Sequence, residues 1–159
     1  FIMATSQKKP DITQAIRQEQ GDGKGRKKPS QIIYDYMLAT TGDQKVAEYT
    51  MSVIAQQIQQ KIGRLIQFGD TVFWAQQMGR GILDVHIFSQ ESPQALIKRI
   101  KQAYDWAKSK GFQTITTTLT DQGMVRLLKT TGLPFSLEQT VVNDGTKMTP
   151  AYKMKMEVK

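Results

Sequence analysis

DVHIFSQESPQALIKRI, residues 84–100, reads as a buried strand that passes through a short turn into an amphipathic helix. Ser92 suits the N-cap of that helix, and Pro93 its first position. Leu96, Ile97, Ile100, Ala103, Tyr104 and Ala107 supply one apolar side, and Gly111 stops the helix. Downstream, QTITTTLT (113–120) alternates as a strand, and DQGMVRLLKTTG (121–132) is a short helix capped by Asp121 and ended by Gly132. FSLEQTVV (135–142) and AYKMKMEVK (151–159) are strands flanking a loop over Asn143 to Pro150.

Upstream, SQIIYDYMLAT (30–40) predicts a helix capped by Ser30, with Ile32, Ile33, Tyr36 and Met37 as its apolar positions. A second helix starts at Asp43 and carries Val46, Tyr49, Val53, Ile54, Ile58 and Ile62 as its stripe. RLIQFG, DTVFWAQQ and RGILDVHIFSQ follow as short runs rich in β-branched and aromatic residues, an antiparallel meander broken by Gly-containing turns. The predicted class is α+β: a mixed, mostly antiparallel sheet flanked by helices in the order ααβββαβαββ.

Composition narrows the chemistry. No cysteine occurs, which excludes disulfides, thiolate metal sites and a cysteine nucleophile. His86 is the single histidine, so no site needing two imidazoles can form, and no metal centre is expected. No apolar run reaches the roughly 20 residues of a membrane span. The expectation is a chain that is cytoplasmic at synthesis.

Charge is uneven. Residues 1–29 carry seven bases (Lys8, Lys9, Arg17, Lys24, Arg26, Lys27, Lys28) against three acids, half of the net +8 of all 159 residues. GDGKGRKKPS (21–30) has no apolar period, so residues 1–29 read as an extended basic arm and residues 30–159 as the packed domain.

Over residues 30–159 this order resembles the GNAT family of acetyl-CoA-dependent N-acetyltransferases, without an obvious first strand. The family's pattern N-x-x-A-x-x-L-Y-E-K-x-G-F has the same frame as D-x-x-M-x-x-L-L-K-T-x-G-L over Asp121 to Leu133. The tyrosine that often serves there as general acid falls on Leu128, which has no proton to give. The family's pyrophosphate loop, Gln/Arg-x-x-Gly-x-Gly/Ala, aligns with Gln90 to Ala95 and meets Pro93 at its central glycine.

The resemblance implies Gln90, Ser92, Gln94 and Ala95 as the residues around the phosphates. Proline removes one N–H from that cradle, and Glu91 adds negative charge beside it. Asp84 and His86 alternate on one strand face, near where the family's base often lies; the plainer alternative is a hydrogen-bonded, partly buried histidine. Lys98, Arg99, Lys101, Lys108 and Lys110 read as the solvated side of the long helix. Trp74 and Trp106 read as core or interface anchors.

MVRLLKTTGLPFSLEQTVVNDG also resembles the acetyltransferase-like internal virion proteins of short-tailed bacteriophages. With the altered loop, that likeness sets the first expectation: a non-catalytic acetyltransferase-like assembly component without cofactor. It would dock on other structural proteins through the arm and be located in a virion if phage-derived. The alternative is an acetyl-CoA-dependent N-acetyltransferase. The third expectation is nucleic-acid binding through the basic arm.

Overall fold

A computed structural model describes residues 27–143 and 147–159. The arm residues Lys8, Lys9, Arg17, Lys24 and Arg26 lie outside the described residues. Four helices and six strands follow the expected order: α1 (Pro29–Thr41), α2 (Gln44–Gln59), β1 (Gly63–Phe68), β2 (Thr71–Gly79), β3 (Ile82–Ser89), α3 (Pro93–Ser109), β4 (Thr114–Leu119), α4 (Gln122–Lys129), β5 (Phe135–Asn143) and β6 (Met148–Glu157). The strands form one sheet in the order β1-β2-β3-β4-β6-β5. It is mixed and mostly antiparallel, with β3 and β4 the parallel pair.

The chain divides into two compact units, one with residues up to Gln76 together with Ile87–Glu91, the other with Gln77–His86 and Ser92–Lys159. In the first unit, β1 and β2 form a hairpin closed by Phe68↔Thr71. Its two-residue turn needs a positive φ at the first central position, and Gly69 supplies it at 58°. The core gathers Ile32 and Ile33 of α1, Met51 and Ile54 of α2, Leu65, Val72, Trp74 and Phe88. Tyr36 meets Phe88 edge-on, with ring centroids 5.5 Å apart.

Gly63 is forced by this packing. A Cβ there would stand 2.6 and 2.7 Å from two ring atoms of Trp74 and 2.8 Å from the Ala75 carbonyl oxygen. The indole is 4% exposed and cannot step aside. Gly63→Ala is therefore expected to cost about 1–3 kcal/mol, or roughly 2–12 °C in melting temperature for a chain of this size, measurable by thermal denaturation.

In the second unit, Leu96, Ile100, Tyr104 and Ala107 form the buried side of α3, and Val125 and Leu128 that of α4. Registers Ile115↔Met156 and Thr117↔Met154 place these side chains on one sheet face, and all four are buried. Tyr104 also ties down the end of the chain: its hydroxyl accepts from the Lys159 N–H at 2.9 Å. Trp106 stacks on Phe112, with ring centroids 6.2 Å apart.

Three expectations are corrected: the cap of α1, the stripe of α2 and the length of the last loop. Ser30 does not cap α1; Pro29 opens that helix and Lys28 is its N-cap, without a side-chain cap bond. Lys27, at the end of the expected arm, is bonded: its N–H donates to Asp70 Oδ1 at 3.1 Å and its carbonyl accepts from Gln67 Nε2 at 3.0 Å. The buried side of α2 is Ala47, Met51, Ser52 and Ile54, whereas Tyr49 of the expected stripe is 71% exposed. Ser52 hides in that side by donating to the Glu48 carbonyl at 2.9 Å. Finally, the loop expected over Asn143 to Pro150 is shorter, since β5 runs to Asn143 and β6 starts at Met148.

Among the described residues, no helix is long and apolar enough to cross a membrane.

Candidate active site

The site is built on β3 and β4. Their parallel ladder runs over Ile82↔Thr114, Leu83↔Ile115 and Asp84↔Thr116, and both strands continue past it. Just beyond, the buried Thr117 hydroxyl donates to the Val85 carbonyl at 2.6 Å. A side chain thus satisfies a backbone acceptor at the point where the ladder stops, so the strand pair is held together there without a further ladder bond. Burial along β3 alternates through Leu83 and Val85 and resumes at Phe88, three residues on.

Leu83, Val85, Ile115 and Thr117 are buried on one face. Asp84, His86 and Thr116 occupy the opposite face, as strand alternation requires. Thr116 donates its hydroxyl to Asp84 Oδ1 at 2.7 Å. The other carboxylate oxygen stands 3.9 Å from His86 Nε2, with the imidazole 54% exposed and the carboxylate 24%. The structure thus brings together the two catalytic candidates and adds a hydroxyl that orients the carboxylate. The pair can take a proton from a group arriving from solvent.

Of the four residues of the candidate phosphate turn, three lie at the start of α3. Ser92 caps the helix, its hydroxyl accepting from the Ala95 N–H at 3.2 Å while its carbonyl accepts from Leu96 at 2.9 Å. Pro93 has no N–H, which leaves that of Gln94 as the amide without a bond among the described residues. Ser92, Pro93 and Gln94 are exposed, and the first turn of α3 has no acidic residue. A diphosphate fits this helix start as a reduced cradle: one open amide, and a second whenever the Ser92 hydroxyl rotates away.

The fourth, Gln90, lies in the first unit and lines a cavity of about 210 Å3 with Lys27, Ile32, Asp35, Asp70 and Glu91. The Lys27 ammonium stands 3.7 Å from Asp35 there. Lys28 is not in this lining. Glu91 Oε1 accepts from the Thr71 hydroxyl at 2.7 Å and from the Asp70 N–H at 3.2 Å. The β1–β2 turn thus fixes where this carboxylate sits, through two neutral donors that leave its charge in place.

Two further groups escaped sequence reading. Thr116 and Thr117 work through pairings 32 residues away, and only the alternating TITTTL run marks them as a polar strand. Tyr152 stands opposite Leu119 at the end of β4, and its hydroxyl accepts from Gln122 Nε2 at 2.9 Å. Leu128, at the tyrosine position of the family pattern, is 2% exposed and belongs to the core.

Solved structures share this fold. A spermidine N-acetyltransferase chimera of Vibrio cholerae SpeG and hSSAT superposes with a TM-score of 0.61 at 11% identity, over 80% of this chain and 89% of that one. An aminoglycoside 6'-acetyltransferase type Ii gives 0.57 at 12% identity, over 82% and 90%. The protein yncA of Salmonella typhimurium, assigned as an acetyltransferase and determined with its cofactor acetyl-CoA, gives 0.56 at 12% identity, over 82% and 86%. The fold is that of the GNAT acetyltransferases. No protein-family model and no curated protein matches the chain, so the GNAT likeness rests on structure. These neighbours give no support to the virion resemblance or to an assembly role in a phage particle.

Proposed function

We propose that this chain is an acetyl-CoA-dependent N-acetyltransferase. The observation that carries the reading is the end of the β3–β4 ladder at Asp84↔Thr116, with the open Asp84–His86 pair on the strand that leads to the α3 start. In a GNAT sheet a pantetheine arm can lie between two such strands past the end of their pairing, here beyond the Thr117–Val85 bond. Acetyl-CoA, when bound, supplies an activated thioester.

The chain's own residues do the rest. The Gln94 and Ala95 amides and the Ser92 hydroxyl hold phosphate at the positive end of the α3 dipole. Asp84, oriented by Thr116, and His86 take the proton that an acceptor amine must lose to attack.

A second reading is favoured by one observation: Ser92 and Pro93 between them withdraw two amides from the cradle. In that reading the fold is a non-catalytic scaffold whose surfaces do the work.

Titration of acetyl-CoA with thermal melting separates the two. The enzyme reading expects stabilisation, about 2.7 kcal/mol when ligand reaches 100 times its Kd. Pro93→Gly, which restores an N–H, is expected to tighten binding about 10- to 100-fold, the worth of one hydrogen bond to a charged group at about 1.5–3 kcal/mol. No shift of the wild-type chain at millimolar acetyl-CoA would retire the enzyme. Binding that Pro93→Gly leaves unchanged would mean the phosphates lie elsewhere.

A further inference from the structure

The β3–β4 ladder stops where a side chain intervenes. The Thr114 N–H donates to the Gly81 carbonyl at 3.0 Å, so in the parallel pattern the even-numbered residues of β4 turn their amides toward β3. The Thr116 N–H then donates to the Leu83 carbonyl, and the next donor in line for the Val85 carbonyl is the Thr118 N–H. Pairing ends one step short of it, at Asp84↔Thr116, and the Val85 carbonyl accepts instead from the Thr117 hydroxyl at 2.6 Å.

β6 does not take the Thr118 amide either. The Val158 N–H donates to the Gln113 carbonyl at 2.9 Å, so the odd-numbered residues of β4 hold the bonded positions against β6, and Thr118↔Lys153 is a non-hydrogen-bonded pair. Among the described residues the Thr118 N–H is therefore an open donor in the plane of the sheet, turned toward β3 just past the ladder end. Thr118 is two residues beyond Thr116, as His86 is two beyond Asp84.

Packing alone does not call for the hydroxyl. Ile115, Thr117 and Leu119 form one buried row of β4, and at Thr117, 3% exposed, valine would have the same shape. What the hydroxyl adds is a donor for a buried acceptor, which leaves the backbone donor unused.

We infer that Thr117 is a positioning residue for the acyl-CoA ligand: by occupying the Val85 carbonyl, its hydroxyl keeps the Thr118 N–H available to a carbonyl oxygen of the pantetheine arm or of the thioester. The inference rests on the acetyltransferase reading. An extended arm past the ladder end meets the strand as a further strand would, and its amide and thioester oxygens are acceptors suited to such an N–H. CoA carries the amide oxygens alone and acetyl-CoA both kinds, so the two ligands tell the sources apart.

Amide hydrogen exchange, read by NMR on the intact chain, is the test. In the free wild type the Thr118 N–H is expected to exchange fast and the Thr116 N–H slowly. In Thr117→Val the Val85 carbonyl is left to the Thr118 N–H, which should then exchange slowly, whereas Thr117→Ser keeps the wild-type pattern. Acetyl-CoA should protect the Thr118 N–H of the wild type. Its affinity should fall about 2- to 13-fold in Thr117→Val, the worth of one neutral hydrogen bond, and recover in Thr117→Ser. Protection by CoA as well assigns the bond to a pantetheine amide; protection by acetyl-CoA alone assigns it to the thioester. Slow exchange of the Thr118 N–H in the free wild type, an unchanged rate in Thr117→Val, or a ligand that binds without protecting it would overturn the inference. The exchange contrast needs no ligand. If it holds and neither ligand binds at millimolar concentration, the acetyltransferase reading has failed and the ligand inferred for Thr118 falls with it.

Discussion

Asp84→Asn is expected to lower kcat/KM for acetyl transfer by about 10²- to 10⁴-fold while leaving acetyl-CoA affinity unchanged. The substitution keeps the shape of the side chain and its bond to the Thr116 hydroxyl, so the ladder end at Asp84↔Thr116 survives. What it removes is the carboxylate facing His86 at 3.9 Å. His86→Gln is expected to reach a similar floor. The double variant should be little worse than either single one, because residues that work as a unit are non-additive. Steady-state kinetics with a primary-amine acceptor, paired with a binding isotherm, measure both quantities. Full activity in both single variants would show that the proton leaves by another route.

Leu128→Ala is expected to reduce unfolding free energy by about 2–5 kcal/mol, read from urea denaturation. Leu128 is 2% exposed, and α4 buries only Val125 and Leu128. With two buried side chains in eight residues, the helix has little else to hold it on the sheet. A cost below about 1 kcal/mol would mean that α4 packs more loosely than this burial requires. The same burial explains why a phenol cannot simply be reinstated: Leu128→Tyr would overpack the site and cost stability without delivering a hydroxyl to solvent.

Much of the architecture was legible because its signals are local. Asp43 and Asp121 cap helices as expected, each accepting a backbone N–H two residues on, and Ser92 caps α3. Gly111 and Gly132 follow helix ends with φ of 86° and 75°. The misreadings have equally physical causes. On α2, Ala47 and Ser52 share the buried side with Met51 and Ile54, and Ser52 satisfies itself on its own helix, so a count of large apolar residues finds Ile54 but shifts the rest of the stripe. Pro150 reads as a strand breaker, yet it sits beyond Tyr152, the last β6 residue paired with β4, where no ladder bond is lost.

For the candidate site, alternation alone put Asp84 and His86 on one face. Their partner Thr116 was invisible, because nothing local reveals which strand will lie alongside. The partners of Glu91 were hidden for the same reason: Asp70 and Thr71 are about 20 residues away in the sequence and meet it only through the fold.

The placement of the two tryptophans has an optical consequence. Trp74 is sealed in the core of the first unit, and Trp106 lies against Phe112 in the second. Each half of the chain thus has its own fluorophore, one in an apolar enclosure and one beside an aromatic ring at the surface. Replacing either indole with phenylalanine leaves the remaining emission as a private record of how its own unit melts.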